Sequence, residues 1–321
     1  MAYLVTGGTG YIGSYVVRDL LKAGKEVVCL QRSGITPVFR EVVGEDNVGK
    51  VKIIQGDVSN TLQLFDVIRR HGVNLIVHFG YAIPPASEQE PANALRVNCI
   101  GMSNLLEAVR LFGLKRLVWT SSTFALGPVF RFHQKPIGDD DAIYQPSTMY
   151  GATKALNEFM SRLYFDKFGV DSIAFRLPRT YGIGRWHGAG GVFTEFLRNA
   201  ALNIPATIED YDFTTAFLYV EDAAAIIVTA CDVPTTKTRV FNAFEGDYTN
   251  RQVVETILKI NPDARITLVK PEAGVVKGCP YPKVDASGVR TELGWQPKHR
   301  LEAGIRKCLN YFRHQRGLSL L

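Results

Sequence analysis

Residues 1–19, MAYLVTGGTGYIGSYVVRD, decide how the rest of this chain is read. Ala2–Thr6 is a short apolar run suited to a buried strand. Thr6–Gly13 (TGGTGYIG) is the loop that follows, and the pattern predicts an amphipathic helix from near Ser14. A strand, a tight glycine turn and a helix N-terminus, in that order, make a cradle for a pyrophosphate. Gly7 and Gly10 can take backbone angles closed to other residues and let the main chain approach a ligand. Gly13 allows the helix to pack closely on the strand. The helix start, with Tyr11 and Ile12 leading into it, offers unpaired N–H groups and a positive dipole end. A lone G-x-G-x-x-G carries little weight, and its position between strand and helix is what strengthens it.

The whole chain sets bounds. With 321 residues, 46% of them hydrophobic, it can bury a large core. No apolar run approaches the length of about eighteen residues needed to span a membrane. The first strand starts at residue 2, so no secretory leader is expected. The five cysteines are scattered without a C-x-x-C pair. Cys29 and Cys99 lie in segments read as strand and helix, so buried structural thiols in a reducing cytoplasm are expected. The net charge of +6 is spread without a basic run, which leaves nucleic-acid binding poorly supported. The histidines lack metal-ligand spacing, so no metal is expected.

Strands are predicted at Ala2–Thr6, Glu26–Gln31, Val51–Gln55, Leu75–Phe79, Arg116–Thr120 and Ser172–Arg176. Helices are predicted between them at Ser14–Ala23, Thr61–Arg70, Pro91–Phe112 and Met149–Phe168. Nearly continuous apolar strands alternating with helices imply an α/β fold, a doubly wound parallel Rossmann sheet. Residues 1–177 then form the dinucleotide-binding region, with 214–245 returning to it. Residues 178–213 and 246–321 form a smaller, interleaved substrate-binding region. The run Asp139–Asp141 reads as a solvated loop.

Tyr150-Gly-Ala-Thr-Lys154 sets a phenol and an ammonium four residues apart, on one face of a predicted helix. An adjacent cation favours phenolate. Lowering a tyrosine by about three units needs roughly 4 kcal/mol. The tyrosine can then move a proton at an alcohol or carbonyl while hydride moves to or from a nicotinamide. Ser121 and Ser122 end the fifth strand, at the sheet edge where ligands bind.

At this point the chain resembles the extended short-chain dehydrogenases/reductases, the NAD-dependent epimerase/dehydratase family, nearly end to end. The matching motifs are TGGTGYIG (6–13), GDV (56–58), Asn98, TSSTFALG (120–127), YGATK (150–154), RLPRTYGIG (176–184), FLYVEDAA (217–224) and LGWQP (293–297). The resemblance implies that Ser122 orients the substrate oxygen, that Tyr150 is the acid/base, and that Lys154 holds the ribose and lowers the tyrosine's pKa. It further implies that Asp57 and Val58 flank the adenine, that the His78–Ala82 segment passes beneath the cofactor, and that Phe79, Gly80, Tyr81 and Asn98 are among the cofactor-binding residues. Pro178 would then lie near the nicotinamide. A homodimer is implied through the helices at Pro91–Phe112 and Met149–Phe168, with Ala152, Ala155, Leu156, Phe159, Met160 and Leu163 at suitable spacing.

The chain also departs from the family pattern. Gln31-Arg32-Ser33 stands where an acid would bind a ribose 2′-OH. Without that carboxylate a 2′-phosphate is not repelled and Arg32 can pair with it, which favours NADP; the other reading is NAD with Arg32 in solvent. Ser122-Thr123-Phe124 replaces the acidic pair of the dehydratases. Thr215-Ala216-Phe217 and Gly274-Val275-Val276 lack the diphosphate-gripping arginines of nucleotide-sugar enzymes. The first expectation is therefore an oxidoreductase acting on a small hydroxyl or carbonyl compound of sugar-like kind. The second is a nucleotide-sugar 4-epimerase with tightly held NAD. Candidate substrate residues are Tyr81, Ser122, Thr123, Arg179, Arg185 and Trp186, with His187 beside them.

Overall fold

A computed structural model describes residues 1–128, 136–141, 144–186, 188–210, 214–270 and 283–321. Its strands, in chain order, are β1 (Ala2–Thr6), β2 (Glu26–Gln31), β3 (Lys52–Gln55), β4 (Val73–His78), β5 (Arg116–Ser122) and β6 (Ser172–Leu177). They continue with β7 (Arg179–Tyr181), β8 (Ala206–Glu209), β9 (Thr215–Tyr219), β10 (Val240–Asn242), β11 (Gly246–Tyr248) and β12 (Ile266–Val269). Seven of them make one parallel sheet in the order β10-β6-β5-β4-β1-β2-β3. Every residue of β1, β5 and β6 is buried, as a sheet covered on both faces requires. Winding reverses between β1 and β4. That point opens a crevice at the carboxyl ends of the strands.

On one face, the helices Tyr11–Lys22 and Val220–Asp232 bury Val16, Leu20, Ile226 and Ile227 against Val5, Cys29 and Val77. On the other, Thr61–Arg70 and Gly101–Phe112 bury Leu64, Ile68, Leu105 and Leu106 against Leu4, Val28 and Ile76. After β9 and its helix the chain returns, through β10, to the edge of the large sheet. Strand β9 itself pairs with β7 and β11 in a separate three-stranded sheet.

Three local expectations are corrected. The first helix begins at Tyr11, not near Ser14, so Gly13 lies inside its first turn. A Cβ on Gly13 would stand 2.5 Å from the Gly7 carbonyl oxygen and 2.9 Å from Gly8 Cα, and its absence lets that turn rest on the loop. Next, Pro91–Phe112 is not one regular helix. Pro91–Leu95 and Gly101–Phe112 are joined by a wide π turn, Arg96–Ile100, which brings Asn98 fully into the interior. Finally, Asp139 is not solvated. It is half-buried, and its Oδ1 accepts the Asn242 N–H at 2.6 Å.

Burial pushes the Asp139 carboxyl up, from an ordinary value of 3.8 to about 7. A raised carboxylate takes up protons on folding, so this group withdraws stability as pH climbs through that window. Asp139→Asn keeps the oxygen acceptor and removes the titration. Its stability gain over the parent, measured by urea unfolding, should be near zero at about pH 4, grow to about pH 7, and then level off.

Candidate active site

The crevice at the switch point holds a cavity of about 200 Å³ lined by Gly7, Thr9, Gly10, Gln31, Arg32, Ser33, Asp57, Val58, Phe79, Gly80 and Tyr81, among others. Its floor is main chain. Gly7 has φ +67°, and a Cβ there would lie 2.9 Å from Gly80 N. The Gly10 N–H donates to the Gly7 carbonyl at 3.0 Å and closes the turn. Gly10 caps the first helix with no side-chain acceptor, so the opening N–H groups stay available to an anion. These residues fit a dinucleotide pyrophosphate.

The Gln31 amide is turned into the loop. Its Oε1 accepts from Thr9 N at 3.1 Å and from the Thr9 hydroxyl at 2.5 Å, while its Nε2 donates to the Gly34 carbonyl at 3.2 Å. Gln31 therefore shapes the cradle that it lines. Arg32 and Ser33 are exposed at the rim, and the Arg32 guanidinium makes no hydrogen bond or ion pair among the described residues. Asp57 accepts from Ser59 N at 2.9 Å and pairs with Arg96 at 3.1 Å. Its burial alone would raise the carboxyl, yet these partners outweigh it and hold the group below its ordinary value. Asn98, on the π turn, accepts the Ala82 N–H at 2.8 Å and donates to the Ala82 carbonyl at 3.0 Å, which fixes the segment after Tyr81.

Ser122 ends β5, and Tyr150 and Lys154 lie on the first turns of the helix Met149–Phe168. That helix is capped twice: Thr148 Oγ accepts the Gly151 N–H at 3.0 Å, and the Glu88 carboxylate accepts those of Met149 (2.9 Å) and Tyr150 (3.1 Å). No periodicity in the sequence points to Glu88, which reaches the helix from 61 residues away. Burial pushes the Tyr150 phenol up to about 12, opposed by the Arg185 charge and the nearby Ser122 hydroxyl. Lys154 is not among these influences. Lys154 is itself fully buried, and that burial drives its amine well below the ordinary value. Its Nζ donates to the Thr120 carbonyl at 2.5 Å, rests on the Tyr81 ring, and stands 5.4 Å from the Tyr150 ring centroid.

The remaining candidates separate. Thr123 is buried beside Ser122, and Pro178 is half-buried just after β6. Arg185 lies over the Tyr11 ring at 5.8 Å and donates to the Thr180 carbonyl. Arg179 lies against Phe217 and Phe193 in the smaller sheet, at 5.3 and 5.8 Å. Trp186 does not join the crevice. It packs on Phe312 at 6.1 Å and lines another depression with Val192, Glu195 and Arg198. His187 and Gly274-Val275-Val276 lie outside the described residues.

A phenol beside a strand-end serine, with a lysine one helical turn away and a glycine cradle close by, can transfer a proton to or from the oxygen of an alcohol or carbonyl. Comparison with known proteins agrees. Residues 3–243 match the NAD dependent epimerase/dehydratase family. The chain belongs to that family. It is an NAD(P)-dependent enzyme of the short-chain dehydrogenase/reductase type. It is 29% identical over 319 residues to UDP-glucose 4-epimerase of Lactobacillus helveticus, with 93% of each chain covered. A UDP-glucose 4-epimerase of Thermus thermophilus, solved as a complex with NAD, superposes with a TM-score of 0.80 at 25% identity, covering 98% of this chain and 99% of that one. The L-threonine dehydrogenase of Clostridium difficile shares the fold, with a TM-score of 0.83 at 22% identity and 98% of each chain covered. Among the described residues, no helix is long and apolar enough to cross a membrane.

Proposed function

We propose that this enzyme moves a hydride between NADP and a small hydroxyl or carbonyl compound of sugar-like kind, with net oxidation or reduction. The observation that carries this reading is Ser122 at the carboxyl edge of the sheet beside the helix that bears Tyr150, with Lys154 one turn further on the same helix face. A bound nicotinamide supplies the hydride acceptor or donor. Ser122 orients the substrate oxygen, and Tyr150 gives or takes its proton. Lys154 steadies the charge that the phenol develops and holds the ribose. Gly7, Gly10, Tyr11, Ile12 and Gly13 hold the pyrophosphate, and Asp57 and Val58 flank the adenine. Phe79, Gly80, Tyr81, Asn98 and Pro178 border the rest of the cofactor. Arg185 is the cation placed to meet an anionic group on the substrate.

The second reading is a nucleotide-sugar 4-epimerase, favoured by the similarity to UDP-glucose 4-epimerase of Lactobacillus helveticus. Thr215-Ala216-Phe217 weighs against it, because a buried diphosphate there lacks an arginine.

Incubating the protein with NAD or NADP and a panel of sugars, sugar acids and alcohols separates the two. Net change in nicotinamide absorbance supports the oxidoreductase, whereas retained cofactor with no net change supports the epimerase. In either case Tyr150→Phe should lower kcat by about 100-fold or more. An unchanged rate in that variant removes the assignment.

NADP is preferred because Arg32 is a guanidinium at the cavity rim with no ion-pair partner among the described residues, and no carboxylate in the Gln31–Ser33 segment repels a 2′-phosphate. Arg32→Ala should raise KM for NADP by about tenfold or more and leave KM for NAD nearly unchanged. Equal effects on both would assign NAD.

A homodimer is the second part of the proposal. Leu156, Phe159 and Leu163 are 45%, 46% and 49% exposed along one stripe, and Ile100 and Leu111 are exposed as well. Ala155 is buried and Met160 packs on the core, so the stripe is narrower than its helical spacing implied. Such a row of apolar side chains suits a second copy of the chain. Sedimentation at micromolar concentration should give twice the chain mass, and a monomer would refute it. Among the described residues four cysteines, Cys29, Cys99, Cys231 and Cys308, are buried free thiols, which suits a reducing compartment, and we place the enzyme in the cytoplasm.

A further inference from the structure

Glu158 stands four residues beyond Lys154, as Lys154 stands four beyond Tyr150, so the three side chains share a face of one helix. Glu158 and Lys154 are both wholly buried. The carboxylate is fully engaged. Arg176 donates to it from Nε at 3.1 Å and from a terminal nitrogen at 2.8 Å, Tyr144 donates its hydroxyl at 2.7 Å, and Ser121 donates its own. Arg176, equally buried, also reaches Asn242 Oδ1 at 3.3 Å.

Stability is a weak reason for such a pair, since apolar residues of like volume often serve a core as well. Its neighbour offers a better one. Among the described residues Lys154 Nζ bonds only to the Thr120 carbonyl, and the other titratable groups around it are His78 on β4, Tyr81, Cys99 on the π turn and Tyr150. Burial raises the Cys99, Tyr81 and Tyr150 acids and drives His78 below its ordinary value, so none of the four supplies a negative charge at neutral pH. The negative charge acting on Lys154 at neutral pH is Glu158.

We propose that Glu158 is a positioning residue: its carboxylate, clamped by Arg176, holds the Lys154 side chain as an ammonium beside Tyr150. The proposal rests on the role given to Lys154 above. A buried amine drifts to the neutral form, and a neutral amine cannot steady a phenolate. Glu158 opposes that drift through the low-dielectric interior. Arg176 and Tyr144, by donating to Glu158, fix the carboxylate in place on that helix face.

The test titrates Lys154 in the full-length protein by NMR of carbon-13-labelled lysine, with the resonance identified by its loss in Lys154→Met. Glu158→Gln should lower the Lys154 midpoint by about one unit, a tenfold loss of proton affinity. Glu158→Asp, which keeps the charge, should restore most of it. A midpoint unmoved in Glu158→Gln overturns the proposal. Should that variant fail to fold, Glu158→Gln with Arg176→Gln leaves no charge stranded; a lowered midpoint supports the proposal and an unmoved one overturns it. The measurement needs neither substrate nor dinucleotide, so its failure stays distinct from a failure of the enzymatic assignment.

Discussion

The site depends on one contact of backbone against backbone. The first helical turn rests on the Gly7–Gly8 loop with no side chain between them, and the same loop meets Phe79 and Gly80 at the end of β4. A methyl group at Gly7 or Gly13 would fall within 3 Å of main-chain atoms, which have nowhere to move. That closeness aims the helix N-terminus, the ends of β1 and β4 and the Phe79–Tyr81 segment at one crevice. Every other part of the candidate site is arranged around it.

The second constraint is electrostatic. The helix Met149–Phe168 carries a phenol, an amine and a carboxylate at intervals of four residues, all turned toward the sheet. Taking such groups out of water is costly, and the fold compensates with specific partners: the Thr120 carbonyl for the amine, Arg176 for the carboxylate. The start of the helix is held by Glu88, a residue from the crossover that also carries the Phe79–Tyr81 segment. Cofactor cradle and proton-transfer helix are thereby tied together at two places, by Glu88 and by the Asn98 grip on Ala82.

Much of this was legible in the residues alone. Local pattern sufficed for β1 and β2, for the helices Thr61–Arg70 and Met149–Phe168, and for Ser122 at the end of its strand, because apolar runs and helical periodicity are properties of contiguous sequence. The π turn was not legible, since it is set by what Asn98 must reach across the interior. Asp139 looked like part of an acidic, solvated run until the Asn242 N–H was brought against it from more than a hundred residues away. Trp186 and Arg179 had the chemistry of ligand contacts, and the aromatic packing of Phe312, Phe217 and Phe193 claimed them.

Sequence by itself determined the order of elements, the glycine cradle and the helix that bears Tyr150 and Lys154, because each follows from steric freedom or spacing within a few residues. Tertiary structure alone decided the charge environment. Which groups are stripped of water, and which opposite charges are left close enough to compensate, depends on strands and loops distant in the chain. For that reason the phenol's immediate influences are Ser122 and Arg185, and the lysine's is Glu158.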